Sequence, residues 1–522
     1  MRPTAIAALC LAPLVLSAQG AGRGGRGAGT APPVDTSLQS RVLAQLNTRR
    51  SVNGDSISIT HHQVTINGTT IHYTATTGML PQRNEQTGDT EGNIFYVAYT
   101  KDGVTDPATR PISFLFNGGP GSATLWLHLG AFGPKKIHLN ADGSNPPPPY
   151  SFEENQNTLL DQTDMVFLDP VGTGYSRANG PQNGPRFWGL DEDMRSVAEF
   201  IRLYLTRSER WASPRFIGGE SYGTTRAAHL SGYLTDNGIA LNGVILLSSV
   251  LNFENSRPDK GNDIGYVGFF PSFAMTAYYH KKLVPELQNL SIEEFAKQVE
   301  AFTTGEYATA LLKGAAMTPA ERTAIIAKTA RFTGTSVRFI ADCDLRIDLA
   351  PFSAELLHGK GLNTGRLDSR FTSINGDPTS GRTAFDPSDA SIRNSFTPVV
   401  NDYIRRELGY KDDDIYYVLG GGIGRWRYDE GKYANVVPSL ERAFAKNPYM
   451  KLYVAMGYYD MATPYWAVQY TLDHMTVDPK IRKENIRTDH FQAGHMMYID
   501  APSMTKLRAD LRHFYEDAVA RR

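Results

Sequence analysis

The sequence predicts an α/β protein built on a mostly parallel, doubly wound sheet with a helical insertion. Three observations predict it. First, short and nearly unbroken apolar runs recur at residues 111–116 (PISFLF), 165–168, 214–217, 244–247 and 452–455. Such runs suit central strands covered on both faces. Second, helical patterns lie between some of these runs. In residues 193–208, Met194, Val197, Phe200, Ile201 and Tyr204 form one apolar stripe, and residues 224–234 read as a second helix. Strands alternating with helices imply parallel pairing. Third, the alternation stops between residues 255 and 430, where helix start signals take over.

The elements follow in chain order. Residues 1–21 read as an export signal: Arg2 supplies the positive start, residues 5–16 form an apolar stretch too short to span a bilayer, and small residues follow. Residues 22–35, rich in Gly, Arg, Ala and Pro, read as a flexible linker. Residues 36–254 are expected to form the first part of the core. Within them, residues 57–66 and 70–76 alternate apolar and polar around Asn67-Gly68, a strong hairpin signal. Residues 93–100 add a strand, so an antiparallel edge should precede the parallel sheet. Pro146 to Pro149 mark a surface loop. The insertion, residues 255–430, should lie over the sheet. Ser291 with Glu294, and Thr318 with Glu321 after Pro319, are capping boxes. Gly420 to Gly424 lacks the spacing of a phosphate or dinucleotide loop and reads as a flexible turn. Residues 431–522 complete the core and end in a helix over residues 502–518.

Composition narrows the function. With 522 residues, 41% hydrophobic, the chain can bury a large core, and its 24 Phe, 26 Tyr and 5 Trp exclude a disordered protein. A net charge of -1 and no basic block make nucleic acid an unexpected partner. After signal removal no membrane segment is expected. Of the two cysteines, Cys10 lies in the signal and Cys343 reads as a small buried residue, so no intrachain disulfide is expected. Export without disulfides points to a secreted or periplasmic protein. No metal site is expected, since His-Glu-x-x-His and paired cysteines are missing, and no cofactor is implied.

The chemistry centres on Gly219-Glu220-Ser221-Tyr222-Gly223. In Gly-x-Ser-x-Gly the glycines allow a sharp strand-to-helix turn that exposes the serine hydroxyl. The motif alone arises by chance in roughly a quarter of chains of this length and glycine content, so its context must decide. Here a strand precedes it and a helix follows. A serine needs a base, an acid to orient that base, and donors for the oxyanion. Asp460 stands just beyond a late strand, and His495 stands in a glycine-containing loop beyond the last one, giving the order Ser, acid, His. His490 and Asp489 are competitors; His495 is preferred because it falls on the loop. The backbone N–H of Tyr222 and that of Gly119, in Asn117-Gly118-Gly119-Pro120-Gly121, are the candidate oxyanion donors.

At this point the chain resembles the serine carboxypeptidases, a family of α/β-hydrolase fold. Residues 117–121, 167–176 (FLDPVGTGYS), 219–223 and 494–496 (GHM) look like its oxyanion loop, strand-and-loop segment, nucleophile turn and histidine loop. The resemblance implies release of a C-terminal amino acid from a peptide substrate through an acyl-enzyme. It carries Ser221, Asp460 and His495 onto the triad, Gly119 and Tyr222 onto the oxyanion hole, and Asn117, Gly118 and Glu220 onto the site for the substrate's terminal carboxylate. Glu220 must then be protonated to donate to that carboxylate. Three departures stand out: Leu115 replaces a family tryptophan, Ala131 falls where a second glutamate supports the first, and Met497-Tyr498 replaces Val-Pro. These keep an esterase or acyltransferase on the same scaffold as an alternative. An inactive binding protein is disfavoured by the intact Ser, Asp and His set.

Overall fold

The computed structural model describes residues 57–376 and 385–520. The expected signal (1–21) and linker (22–35) lie outside the described residues. The hairpin forms at the edge: β1 (Ser58–Ile66) pairs antiparallel with β2 (Thr69–Arg83), and Ile66 faces Thr69. Asn67 (φ 48°) and Gly68 (φ 80°) take the left-handed conformations that a two-residue turn of this twist requires. β3 (Thr90–Lys101) continues the antiparallel edge.

The five apolar runs form β4 (Ile112–Phe116), β5 (Asp164–Leu168), β6 (Arg215–Ser221), β7 (Gly243–Ser249) and β8 (Lys451–Gly457), and β9 (Ile486–Phe491) completes the sheet. They lie in the order β1-β2-β3-β5-β4-β6-β7-β8-β9, and a short strand, Arg177–Ala178, pairs with β3. Pairing is antiparallel up to the β3–β5 contact and parallel from β5 to β9.

Alternation along the strands sorts their side chains into two cores. Ile112, Phe114, Ile217, Val244, Leu246, Leu452 and Val454 face one, with helices Leu190–Arg207 and Tyr222–Asp236. Leu115, Phe216, Ile245 and Tyr453 face the other, with the terminal helix Ala501–Val519. There Phe216 lies 4.5 Å, ring to ring, from Tyr515, whose hydroxyl bonds Ser113 at 2.7 Å. Strands β4 to β8 are buried on both sides, so uninterrupted apolar runs replace alternation there.

Residues 255–430 divide between the two faces. Both capping boxes form, on helices Ile292–Phe302 and Pro319–Thr333. Helix Asp263–Tyr279 buries Phe269, Phe270 and Phe273 among Phe302, Tyr307 and Phe352 in the first core. Helix Pro387–Asp402 instead crosses to the second core, where Phe396 meets Trp126 at 4.8 Å. Two local readings change. Cys343 is half-buried at the end of helix Val337–Asp342, and that burial pushes its thiol up to about 11. Gly420 to Gly424 is a packed turn: Gly420 N–H donates to Gly121 O at 2.8 Å, and Ile423 fills the space over Gly121 and Gly172.

Candidate active site

Strand order reverses at β4. The chain leaves β4 for β5 on one side and returns to β6 on the other. Ligand crevices in open α/β sheets form at such points, beyond the carboxyl ends of the strands. β4 and β6 pair in parallel with Phe116 beside Gly219, so residues 117–121 and the turn at Ser221 emerge side by side.

Ser221 closes β6 and precedes helix Tyr222–Asp236, with φ 59° and ψ -131°. A non-glycine residue held in this region is strained and persists only where its surroundings enforce it. The enforcement is visible. A Cβ on Gly219 would lie 2.1 Å from Gly223 O, and one on Gly223 would lie 2.7 Å from Phe116 O. Glycine is therefore required two residues before and after the serine. Gly118 approaches equally closely: its Cβ would be 2.4 Å from both Tyr222 N and Gly223 N. Gly119 follows with φ 101°. The two candidate oxyanion donors thus belong to segments in backbone contact.

Asp460 lies three residues past β8, fully buried at 0% exposure. Its Oδ1 accepts the N–H groups of Ala462 (2.7 Å) and Thr463 (2.9 Å), and its Oδ2 accepts the Thr463 hydroxyl (2.7 Å). Oδ2 also meets His495 Nδ1 at 2.7 Å. Burial alone would lower the His495 pKa, but the Asp460 carboxylate, its hydrogen bond and Glu220 together hold it above 6.5. The Ser248 hydroxyl donates to His495 O at 2.6 Å, and Ser249 is the strand partner of Ser221, so β7 ties the His495 loop to the Ser221 turn. Among the described residues Ser221 Oγ makes no hydrogen bond to His495; such contacts are commonly loose before substrate binds. The competitors turn elsewhere. The His490 ring stacks on Tyr458 at 5.1 Å, and Asp489 pairs with Arg487 (2.8 Å) and Lys506 (3.3 Å).

Glu220, 3% exposed, accepts a hydrogen bond at Oε2 from Asn117 Nδ2 (3.0 Å). Asn117 Oδ1 accepts from Leu127 N–H (3.0 Å), which orients the amide. A second donor to Glu220 Oε2 is the hydroxyl of Tyr498. Burial pushes the Glu220 pKa up to about 7, against the opposing pull of His495, Tyr498 and Asn117.

Several supporting residues escaped sequence reading. Arg226, fully buried, pairs with Asp193 (2.6 Å) and donates to Asn117 O (2.7 Å). Asp169, in the 167–176 segment, accepts from Thr124 N–H at 2.7 Å and so secures the loop after β4. Residues 366–370 of the insertion brace both late loops. Leu367 O accepts from His495 N–H (2.6 Å), Arg366 O from Met461 N–H (3.0 Å), and Asp368 from Gly494 N–H (3.1 Å). Arg370 then bridges Asp368 (2.7 Å) and Asp500 (3.0 Å). Proximity of Asp368 to Arg370 was the only local hint.

A nucleophile-type elbow on a mostly parallel sheet, with a buried Asp–His pair at the same edge, defines the α/β-hydrolase class. The chain belongs to the serine carboxypeptidase family, whose profile matches residues 69–507. Serine carboxypeptidase-like 36 of Arabidopsis thaliana is 28% identical over 182 residues, covering 34% of this chain and 35% of the relative. Pheromone-processing carboxypeptidase KEX1 of Saccharomyces cerevisiae is 25% identical over 155 residues, 28% of this chain and 20% of the relative. These alignments span about a third or less of either relative's length. The crystal structure of KEX1ΔP, a prohormone-processing carboxypeptidase from S. cerevisiae, superposes with a TM-score of 0.51 at 15% identity, covering 85% of this chain and 91% of that one. That is a likeness of fold. Among the described residues no helix is long and apolar enough to cross a membrane.

Proposed function

We propose that the protein is a serine carboxypeptidase that releases C-terminal amino acids from peptides. Ser221 Oγ attacks the last peptide carbonyl while His495 takes its proton, and Asp460 holds the imidazole in the required tautomer. The N–H groups of Gly119 and Tyr222 receive the oxyanion. His495 then passes the proton to the departing amine as the C–N bond breaks, leaving an ester on Ser221. Water, deprotonated by His495, hydrolyses that ester and restores the hydroxyl.

The observation that carries this reading is Glu220. It is a buried acid adjacent in sequence to Ser221, hydrogen-bonded to Asn117, with its pKa pushed up to about 7. A neutral carboxyl can donate a hydrogen bond to a substrate carboxylate, which an ionised one would repel. Below about 7 the acid form prevails. Asn117 donates an amide hydrogen to Glu220 and so fixes the carboxyl beside the nucleophile. Gly118, pressed against Tyr222, brings backbone close to that point. Family membership supports the reading. Export to the periplasm or medium belongs to the same proposal and rests on the N-terminal sequence.

The test offers a mixed peptide pool at acidic to neutral pH and follows masses with time. Loss of single C-terminal residues, abolished in Ser221→Ala, is expected. Ester cleavage without trimming would replace the proposal with an esterase or acyltransferase.

A further inference from the structure

The support of Glu220 comes from a phenol. Tyr498 sits in the short helical turn Met497–Ile499, 278 residues from Glu220 in sequence, and its hydroxyl donates to Glu220 Oε2. The ring is accommodated by Gly130, where a Cβ would lie 2.8 Å from Tyr498 Cε2. The neighbouring Ala131 is buried and carries no acid. Among the described residues, both hydrogen bonds to the Glu220 carboxyl, from Asn117 Nδ2 and Tyr498 OH, fall on Oε2. Asn117 cannot reverse its amide, because Oδ1 is held by Leu127 N–H.

We propose that Tyr498 is a positioning residue for substrate recognition: by donating to Oε2 it confines the acid proton of Glu220 to Oε1. A carboxyl whose one oxygen already accepts two donors has no room there for its own proton. The acid hydrogen therefore stands on the other oxygen, ready to meet a carboxylate. A phenol buried as deeply as Tyr498 keeps its proton, since burial pushes its pKa well above the ordinary value and Glu220 adds to the effect, against a smaller opposing pull from the Asn117 side chain. Recognition then turns on one ionisation, that of Glu220, with no proton shared between two acids. The same hydrogen bond favours ionised Glu220, so Tyr498 also sets the upper pH limit of binding. The other groups facing Glu220 are His495, which favours its ionisation, and Asp460, which opposes it. Arg366 faces His495 from the insertion, and Arg226 donates to the Asn117 carbonyl.

This proposal rests on the reading of Glu220 as the carboxylate donor. The experiment measures KM for an N-blocked dipeptide with a free carboxylate from about pH 5 to 9, in wild type, Tyr498→Phe and Glu220→Gln. Tyr498→Phe removes one oxygen and leaves the ring over Gly130, and fluorophosphonate labelling of the same samples reports that Ser221 is in place. In wild type KM should climb as Glu220 ionises. In Y498F the climb should move upward by about one pH unit, the effect of losing a hydrogen bond to a charged group. In E220Q the climb should vanish. A Y498F climb at the wild-type pH, with E220Q flat, overturns the role of Tyr498 alone. A climb that persists in E220Q overturns the Glu220 reading and this proposal with it.

Discussion

Replacing Asp460 by Asn exchanges one oxygen for an NH2 group, and the surrounding donors dictate where it goes. Oδ1 accepts two backbone N–H groups, from Ala462 and Thr463, so that position must remain an oxygen. The amide nitrogen is forced into the place of Oδ2, which faces His495 Nδ1 at 2.7 Å and the Thr463 hydroxyl. An amide N–H there opposes an Nδ1–H. The imidazole must give up the Nδ1 proton and carry it on Nε2, where it can no longer accept one from Ser221. The same substitution in the Ser-His-Asp template lowers kcat about 10⁴-fold, or about 5.5 kcal/mol in activation free energy. Asp460→Asn should therefore lower kcat for an N-blocked dipeptide, and the fluorophosphonate labelling rate, by about 10⁴ at neutral pH. KM should change far less than kcat, since Asp460 acts on Glu220, a candidate carboxylate-binding residue, only through its charge. Retention of kcat within about tenfold of wild type would refute the assignment, because it would mean that another group orients the base.

Further expectations concern pH, stability and packing. Because the charges of Asp460 and Glu220 hold the His495 pKa above 6.5, fluorophosphonate labelling should rise with pH around a midpoint above that value. The midpoint should fall in E220Q; an unmoved midpoint would remove Glu220 from the electrostatics of His495. Arg226→Met should cost about 3–5 kcal/mol in denaturant unfolding, because it strands the buried Asp193 carboxylate as well as Asn117 O. Adding Asp193→Leu should recover much of the loss, and a loss under about 1 kcal/mol would mean that the pair is not buried as described. Gly118→Ala places a Cβ 2.4 Å from Tyr222 N, inside the candidate oxyanion hole. Its kcat should fall about 10²–10³-fold, the effect of losing one oxyanion donor, and an unchanged kcat would exclude this loop from the hole.

Much of the frame was legible because it depends on neighbours in the chain. The Asn67-Gly68 turn, the two capping boxes and the five apolar runs each state their structure within a few residues. Gly219 and Gly223 show their purpose locally as well, since the clashes that exclude a side chain arise from the turn itself and the strand beside it. The order of Ser221, Asp460 and His495 is readable because parallel strands place all their following loops on one edge.

The rest was decided only when distant segments met. Nothing near Glu220 announces Tyr498, and a tyrosine after a histidine loop has no spacing that marks it as a hydrogen-bond donor. The preference for His495 over His490 came from the loop position, but the stacking of His490 on Tyr458 appears only in the fold. Residues 366–370 looked like loop, and the turn at residues 420–424 looked free. Their contacts with His495 and Gly121 exist because the insertion folds back over the sheet edge. Hydrophobic periodicity reports which face a segment buries, but a polar side chain reports its partner only when that partner has been carried to it. For this protein the sequence by itself determined the sheet, the elbow and the order of the candidate triad. Tertiary structure decided the surroundings of Glu220, where burial and a phenol set the proton on which the proposed substrate recognition depends.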